Sequence, residues 1–207
     1  MKKVLFAMLS LLMMSAGVAY AAEKPFNLAL IDPVQVYDDT YDISGVRLNL
    51  LYGKNTNFKG LDFGIGLGQS NQNFTGVGLH YGGNFVRGNA KGVQFADIVN
   101  IDMGDFNGVQ FAGANYVQGN TTGFQLAYAS ITKGDFSGIA IGGANVVHQN
   151  ARGFKLAIFN YVSKDFSGLQ LGLVNMAGLK NGLQIGLVNI NKNKKPLPIF
   201  PFVNFSF

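Results

Sequence analysis

The sequence predicts an all-β fold, an antiparallel meander of about twelve short strands closed as a β-barrel. Three observations predict it. Glycines recur at 45, 60, 76, 92, 108, 123, 138, 153, 168 and 182, at spacings of 14 to 16 residues. The run after each glycine alternates bulky apolar residues with polar or small ones, the period-two mark of a strand. The chain ends on Phe207, with Phe205, Val203 and Ile199 at alternate steps before it. A β-solenoid of 15- or 30-residue repeats is the alternative reading of the same period.

Residues 1–21 carry a basic start at Lys2 and Lys3, an apolar stretch from Val4 to Met14, and the small-x-small pattern Ala19-Tyr20-Ala21. That is the pattern of a secretory signal peptide. It leaves 22–207 as a single β-repeat domain. "FNLALIDPVQVY" (26–37) reads as the first strand, despite Pro33. Ten runs follow, from "VRLNLLYG" after Gly45 to "LQIGLVNI" after Gly182. They are too short and too rich in glycine for helices. Their first, third and fifth residues make a bulky apolar face, as in Leu169, Leu171 and Leu173. The other face begins polar, with Arg47, Asp62, Gln94, Gln110, Gln125, Lys155, Gln170 and Gln184. It continues small, with Ala112, Ala127, Gly142, Ala157 and Gly172. "PIFPFVNFSF" (198–207) is the twelfth strand, and single-chain bacterial outer-membrane barrels have an even number.

The four residues ending at each glycine alternate from Asn89 onward, as NAKG, DFNG, NTTG, DFSG, NARG, DFSG and LKNG. A meander has one kind of turn at each end of the sheet, so it should repeat every two strands. Asn115, Asn145, Asn160, Asn175 and Asn189 recur at the seventh position of their runs. That recurrence suits an Asn ladder between parallel coils, which favours the solenoid. Membrane dimensions favour the barrel. Nine residues at about 3.3 Å each, tilted by about 40°, cover roughly 23 Å, close to the apolar band of about 25 Å. The bulky face then meets lipid. Ala112, Ala127, Gly142, Ala157 and Gly172 would line a pore, and Phe205 and Phe207 would form a C-terminal assembly signal. The function expected is a cell-envelope barrel, structural or a passive pore for small solutes. The alternative is a secreted or surface-exposed solenoid that binds or adheres. Location is the outer membrane or cell surface. The expected partners are membrane lipid and the outer-membrane assembly machinery.

Composition narrows the function further. Charged residues are 13%, about half the usual share. There is no Cys, which excludes disulfides, thiolate metal sites and an N-terminal lipid anchor. The formal charge of +5 is scattered, which argues against nucleic acid. His80 and His148 lie in different repeats, without a ligand cluster. Asp105, Asp135 and Asp165 read as caps of their own turns rather than Ca²⁺ ligands. Asp38, Asp39 and Asp42 read as a solvated loop, and Lys192, Lys194 and Lys195 as a solvated turn. No nucleophile–base–orienter set is present in the sequence, so neither enzymatic activity nor a cofactor is expected.

"GVRLNLLYGKNTNFKGLDFGIG" (45–66), "GLQLGLVN" (168–175) and "GLQIGLVN" (182–189) resemble a family of bacterial surface-repeat proteins found mainly in spirochaetes. The resemblance covers most of the mature chain. It implies a cell-envelope location and no catalysis. Lipoproteins occur among the relatives, but this chain lacks the Cys that a lipid anchor needs.

Overall fold

An alternating strand must hide its hydrogen-bonding edges, and it can do so by closing a barrel or by stacking on copies of itself. This chain stacks. The computed structural model describes residues 23–207, so the signal-peptide reading lies outside the described residues. The fold is all-β, with 76% of the described residues in strands, wound as a parallel β-solenoid of about 11 turns. The barrel expectation is therefore corrected. One coil also takes a single repeat of 15 or 16 residues rather than thirty, as the partners Gln94, Gln110 and Gln125 show.

The first layer is β1 (Glu23–Ile31), with β2 (Val34–Gln35) paired antiparallel to it. β1 lies parallel on β3 (Asp42–Asn55). The next coils each give a longer strand to one sheet and a short strand to the other. They are β4 (Phe58–Gly64) with β5 (Leu67–Ser70), β6 (Phe74–His80) with β7 (Gly83–Val86), and β8 (Ala90–Ala96) with β9 (Val99–Asp102). From β10 (Phe106–Val117) through β11 (Thr121–Thr132) to β12 (Phe136–Val147), one strand runs through the bend and serves both sheets. β13 (Ala151–Leu171) and β14 (Val174–Asn191) continue the stack, and β15 (Ile199–Ser206) returns antiparallel on β14 as a cap. Pro201 within β15 weakens that outer edge as a template for further strands.

The repeating glycine is not the end of a turn. Gly108 is the third residue of β10, and the turn lies just before that strand. Nine of the glycines have φ between 118° and 151°. A Cβ on Gly138 would run into the carbonyl oxygen of Gly123 in the coil beneath. Only glycine allows both that backbone and that approach.

The thirty-residue alternation has a packing cause. Phe106, Thr121, Phe136, Ala151 and Phe166 form one inward column. Coils stack about 4.8 Å apart, so bulky rings alternate with small side chains between them. Where the tetrads do not alternate, as in NFKG and NFTG, Phe58 and Phe74 instead stack at 5.5 Å. The residue before this column alternates too. Asn150 N–H donates to Asp135 Oδ1, Asp135 N–H to Asn120 Oδ1, and Asn120 N–H to Asp105 Oδ1. The Asp residues thus cap the next coil, not their own turn. The intervening Asn keeps successive carboxylates two coils apart, about 10 Å.

The large apolar side chains of the interior cluster beneath these turns. Phe58, Phe74, Val86, Phe106 and Val117 belong to one cluster, and Phe136, Val147, Val162, Phe166 and Leu179 to another. Between them lies a coil with a polar interior, made of Thr121, Gln125, Ser130 and Thr132. Thr121 and Thr132 share a hydroxyl hydrogen bond of 2.9 Å.

Candidate binding surface

The interior is largely polar and the exterior largely apolar. In each run the second residue points inward. Gln125 Nε2 donates to Gln110 Oε1, Gln110 Nε2 to Gln94 Oε1, and Gln184 Nε2 to Gln170 Oε1, each at 2.8 Å. Asn204 of the cap extends this column onto Gln184 at 2.7 Å. A second inward column links Asn84, Asn100 and Asn115, then Asn145, Asn160, Asn175 and Asn189, at 2.8–3.1 Å. These ladders satisfy groups whose burial would otherwise cost on the order of 1–3 kcal/mol each.

Charges are sealed in the same space. Arg47 Nε and Nη2 donate to the two oxygens of Asp62 at 2.9 and 2.6 Å. Asn49 Nδ2 donates to Asp62 Oδ1 at 2.8 Å, and His80 lies between Asp62 and Asn84. Burial draws the His80 pKa down against the pull of Asp62. Asp102 accepts from Gln94 and Gln110 at 2.9 and 2.6 Å, yet burial pushes its pKa up to about 7. Lys155 stands over the Phe136 ring at 3.8 Å, and burial brings its pKa down to about 7. Ala140 occupies the same inward column one coil below, and its small side chain leaves room for the lysine stem. The sequence grouped Arg47, Asp62 and Lys155 with the glutamines but did not reveal that the column is enclosed. The opposite signs of Arg47 and Asp62 at matching positions were the available signal.

The outward positions carry the bulky residues. Val109, Phe124, Ile139 and Phe154 form one column of the first sheet, and Phe111, Leu126, Ile141 and Leu156 the next. The second sheet presents Ile101, Tyr116, Ile131, Val146 and Tyr161. At the bend joining the sheets, Ile65, Tyr81, Ile98, Ile158 and Leu187 are more than half exposed, and Tyr128 is 85% exposed. A groove of about 660 Å³ crosses this edge, lined by Phe95, Phe111, Leu126 and Tyr128 around Gly113 and Gly143. The sequence's assignment of outward and inward faces thus holds, although the architecture around it does not. The solenoid carries its bulky face outward.

Exposed charge gathers at the opposite edge, where the turns lie. Between residues 58 and 190 it comprises Lys59, Arg87, Lys91, Lys133, Arg152, Lys164 and Lys180 against Asp105, Asp135 and the partly exposed Asp165. Among the described residues of that span, Asp97 is the one other exposed charge, and it sits at the bend.

The remaining predicted positions fall as follows. Ala112, Ala127, Gly142 and Ala157 are in register at the bend, where the first three help line the groove, with Gly172 stacked on Ala157. No lumen passes beside them, because the two sheets pack on each other. Phe205 and Phe207 are exposed on and just beyond the cap strand. Asp39 pairs with Lys54 at 2.8 Å, and Asp42 caps Asn57 N–H. In the lysine turn Lys195 is exposed, but Lys192 and Lys194 are anchored. Lys192 donates to the carbonyls of Val162 and Ser163, and Lys194 to Asn204 and the Phe205 carbonyl. His148 lies 3.2 Å from Lys133 Nζ at the charged edge. Among the described residues no three of His, Asp or Glu are placed to hold a metal ion. No protein-family model, curated protein or solved structure matches the chain.

Proposed function

We propose that this chain is an exported, non-catalytic β-solenoid of the cell envelope, which works by offering its apolar sheets and bend to an apolar partner. The observation that supports this reading is the inverted distribution of side chains. Gln and Asn ladders occupy the inside, and Val, Leu, Ile and Phe columns the outside. Monomeric soluble proteins rarely expose a contiguous apolar patch above a few hundred Å². Here such columns follow the solenoid over both sheets. Asp102 and Lys155, whose proton affinities burial displaces furthest, and His80 beside Asp62 are at most 2% exposed. That enclosure suits structural roles rather than contact with a substrate. The leader-like residues 1–21 and the low charge content support export.

Two measurements test the reading. Fractionation of cells making the full chain should place it in the envelope, and recovery in the cytosol would contradict export. The purified protein should bind an environment-sensitive apolar dye strongly while its β-sheet circular dichroism remains intact. A folded protein that leaves the dye unbound would contradict the apolar-binding role.

A further inference from the structure

Resting on that reading, we infer that the apolar partner is a lipid leaflet, with the bend inserted among acyl chains and the turn edge held at the headgroups. Three features select lipid over a second copy of the chain. The first is coverage. A two-fold partner would cover one sheet and leave the other sheet and the bend in water. A leaflet covers all three at once.

The second is charge. The turn edge carries seven Lys or Arg against three Asp between residues 58 and 190, a balance of about +4, whereas the sheets carry no exposed charge there and the bend carries one, Asp97. Lysine and arginine stems that start beside apolar columns can keep their heads in the interface. A positive rim of this kind is attracted to anionic headgroups near the surface.

The third is depth. From Phe124 to Tyr128 there are four residue steps, or about 13 Å at about 3.3 Å each. Half of a hydrocarbon core of about 30 Å is about 15 Å. The solenoid therefore reaches through one leaflet and does not span the membrane. Backbone groups entering hydrocarbon must be paired. At the bend, Gly66 N–H donates to the Leu50 carbonyl, Gly82 N–H to Ile65, Gly113 N–H to Asp97 and Ala114 N–H to Ile98, at 2.9–3.1 Å. Each bend is thus paired to its neighbour coil. The groove beside Tyr128 offers an acyl chain a seat.

The chain has no Trp, so a single introduced tryptophan reports its own depth. Tyr128→Trp and Thr122→Trp variants of the exported chain are mixed with vesicles of one part phosphatidylglycerol to two parts phosphatidylcholine. A second set of vesicles has the phosphatidylcholine brominated on its acyl chains. Both proteins should float with the vesicles. The tryptophan of Tyr128→Trp should shift to the blue and be quenched by bromine, and that of Thr122→Trp should not. Ile158→Asp, at a position already 63% exposed, should lower vesicle binding at least tenfold and leave the circular dichroism unchanged. Four results would overturn the inference: no flotation, equal quenching at both positions, undiminished binding by Ile158→Asp, or self-association that hides the bend without lipid. Dye binding in the absence of vesicles separates the two failures. A protein that binds dye but not vesicles keeps the apolar-binding reading and loses the lipid.

Discussion

Replacing Ser130 by Asn should make the protein more stable. Ser130 sits in register between Asn115 and Asn145, one coil below and one above it. Every neighbouring step of that column is bridged by an amide hydrogen bond, but Ser130 is too short to bridge either way. Asn115 Nδ2, Ser130 Oγ and Asn145 Oδ1 are all buried without a hydrogen-bond partner among the described residues. An Asn at 130 accepts from Asn115 and donates to Asn145, repeating the geometry of Asn145, Asn160 and Asn175. Space for it follows from the coil below, where Gln110 and Ala112 flank Asn115 as Gln125 and Ala127 flank Ser130. Two net hydrogen bonds at about 1 kcal/mol each give roughly 2 kcal/mol. For a chain of this length that raises Tm by roughly 4–8 °C. The assay is thermal and urea unfolding of Ser130→Asn beside Ser130→Ala, which removes the orphan hydroxyl without completing the ladder. If Ser130→Asn is no more stable than Ser130→Ala, the amide ladder does not hold the coils together.

Three further perturbations test other parts of the fold. Gly138→Ala meets both the φ of 142° and the Gly123 carbonyl, and it should cost about 3 kcal/mol or more in urea unfolding; a change within 0.5 kcal/mol would refute the close coil approach. Arg47→Met strands Asp62 inside and should cost about 3–5 kcal/mol, whereas Arg47→Met with Asp62→Leu should recover most of that loss, a contrast read from denaturation midpoints. Asp102 and Lys155 together predict low stability near neutral pH. Asp102, raised to about 7 from 3.8, favours folding below about pH 4 and loses that contribution as pH rises to 7. Lys155, lowered to about 7 from 10.5, favours folding above about pH 10.5 and loses its contribution as pH falls to 7. Each limb has a limiting slope of about 1.4 kcal/mol per pH unit. Asp102→Asn should flatten the acid limb and Lys155→Gln the alkaline one, and a melting profile unaffected by either variant would contradict their burial.

Strand content, period and the division into inward and outward residues were readable in the sequence, because alternation and spacing are local. The coil was not. Its second strand is short, as in Val99–Asp102, and it lies within what reads as the tail of one longer run. The tetrad alternation was assigned to two kinds of turn, whereas the structure shows that it records Phe and small side chains taking turns in one stacked column. The recurring Asn at 145, 160, 175 and 189 was the correct pointer to parallel stacking. A strand length matched to the apolar band of a membrane points the other way, and bulky residues facing outward, such as Leu156 and Ile185, suit a barrel in lipid as well as this solenoid. The paired charges of Arg47 and Asp62 were visible as a polar face. Their enclosure depends on a second sheet that the strand alternation alone does not announce.

The central claim is that the bulky residues face out and the small or polar ones face in. Ile139 is 42% exposed and its neighbour Ala140 is 0% exposed, and the native chain has no Cys to confuse the readout. Ile139→Cys and Ala140→Cys variants, each treated with a water-soluble maleimide under native conditions without lipid, test it directly. The account predicts rapid labelling of the Ile139→Cys protein and protection of the Ala140→Cys protein until it is unfolded. Protection at 139 with rapid labelling at 140, the pattern of a solenoid with an apolar interior, would contradict it.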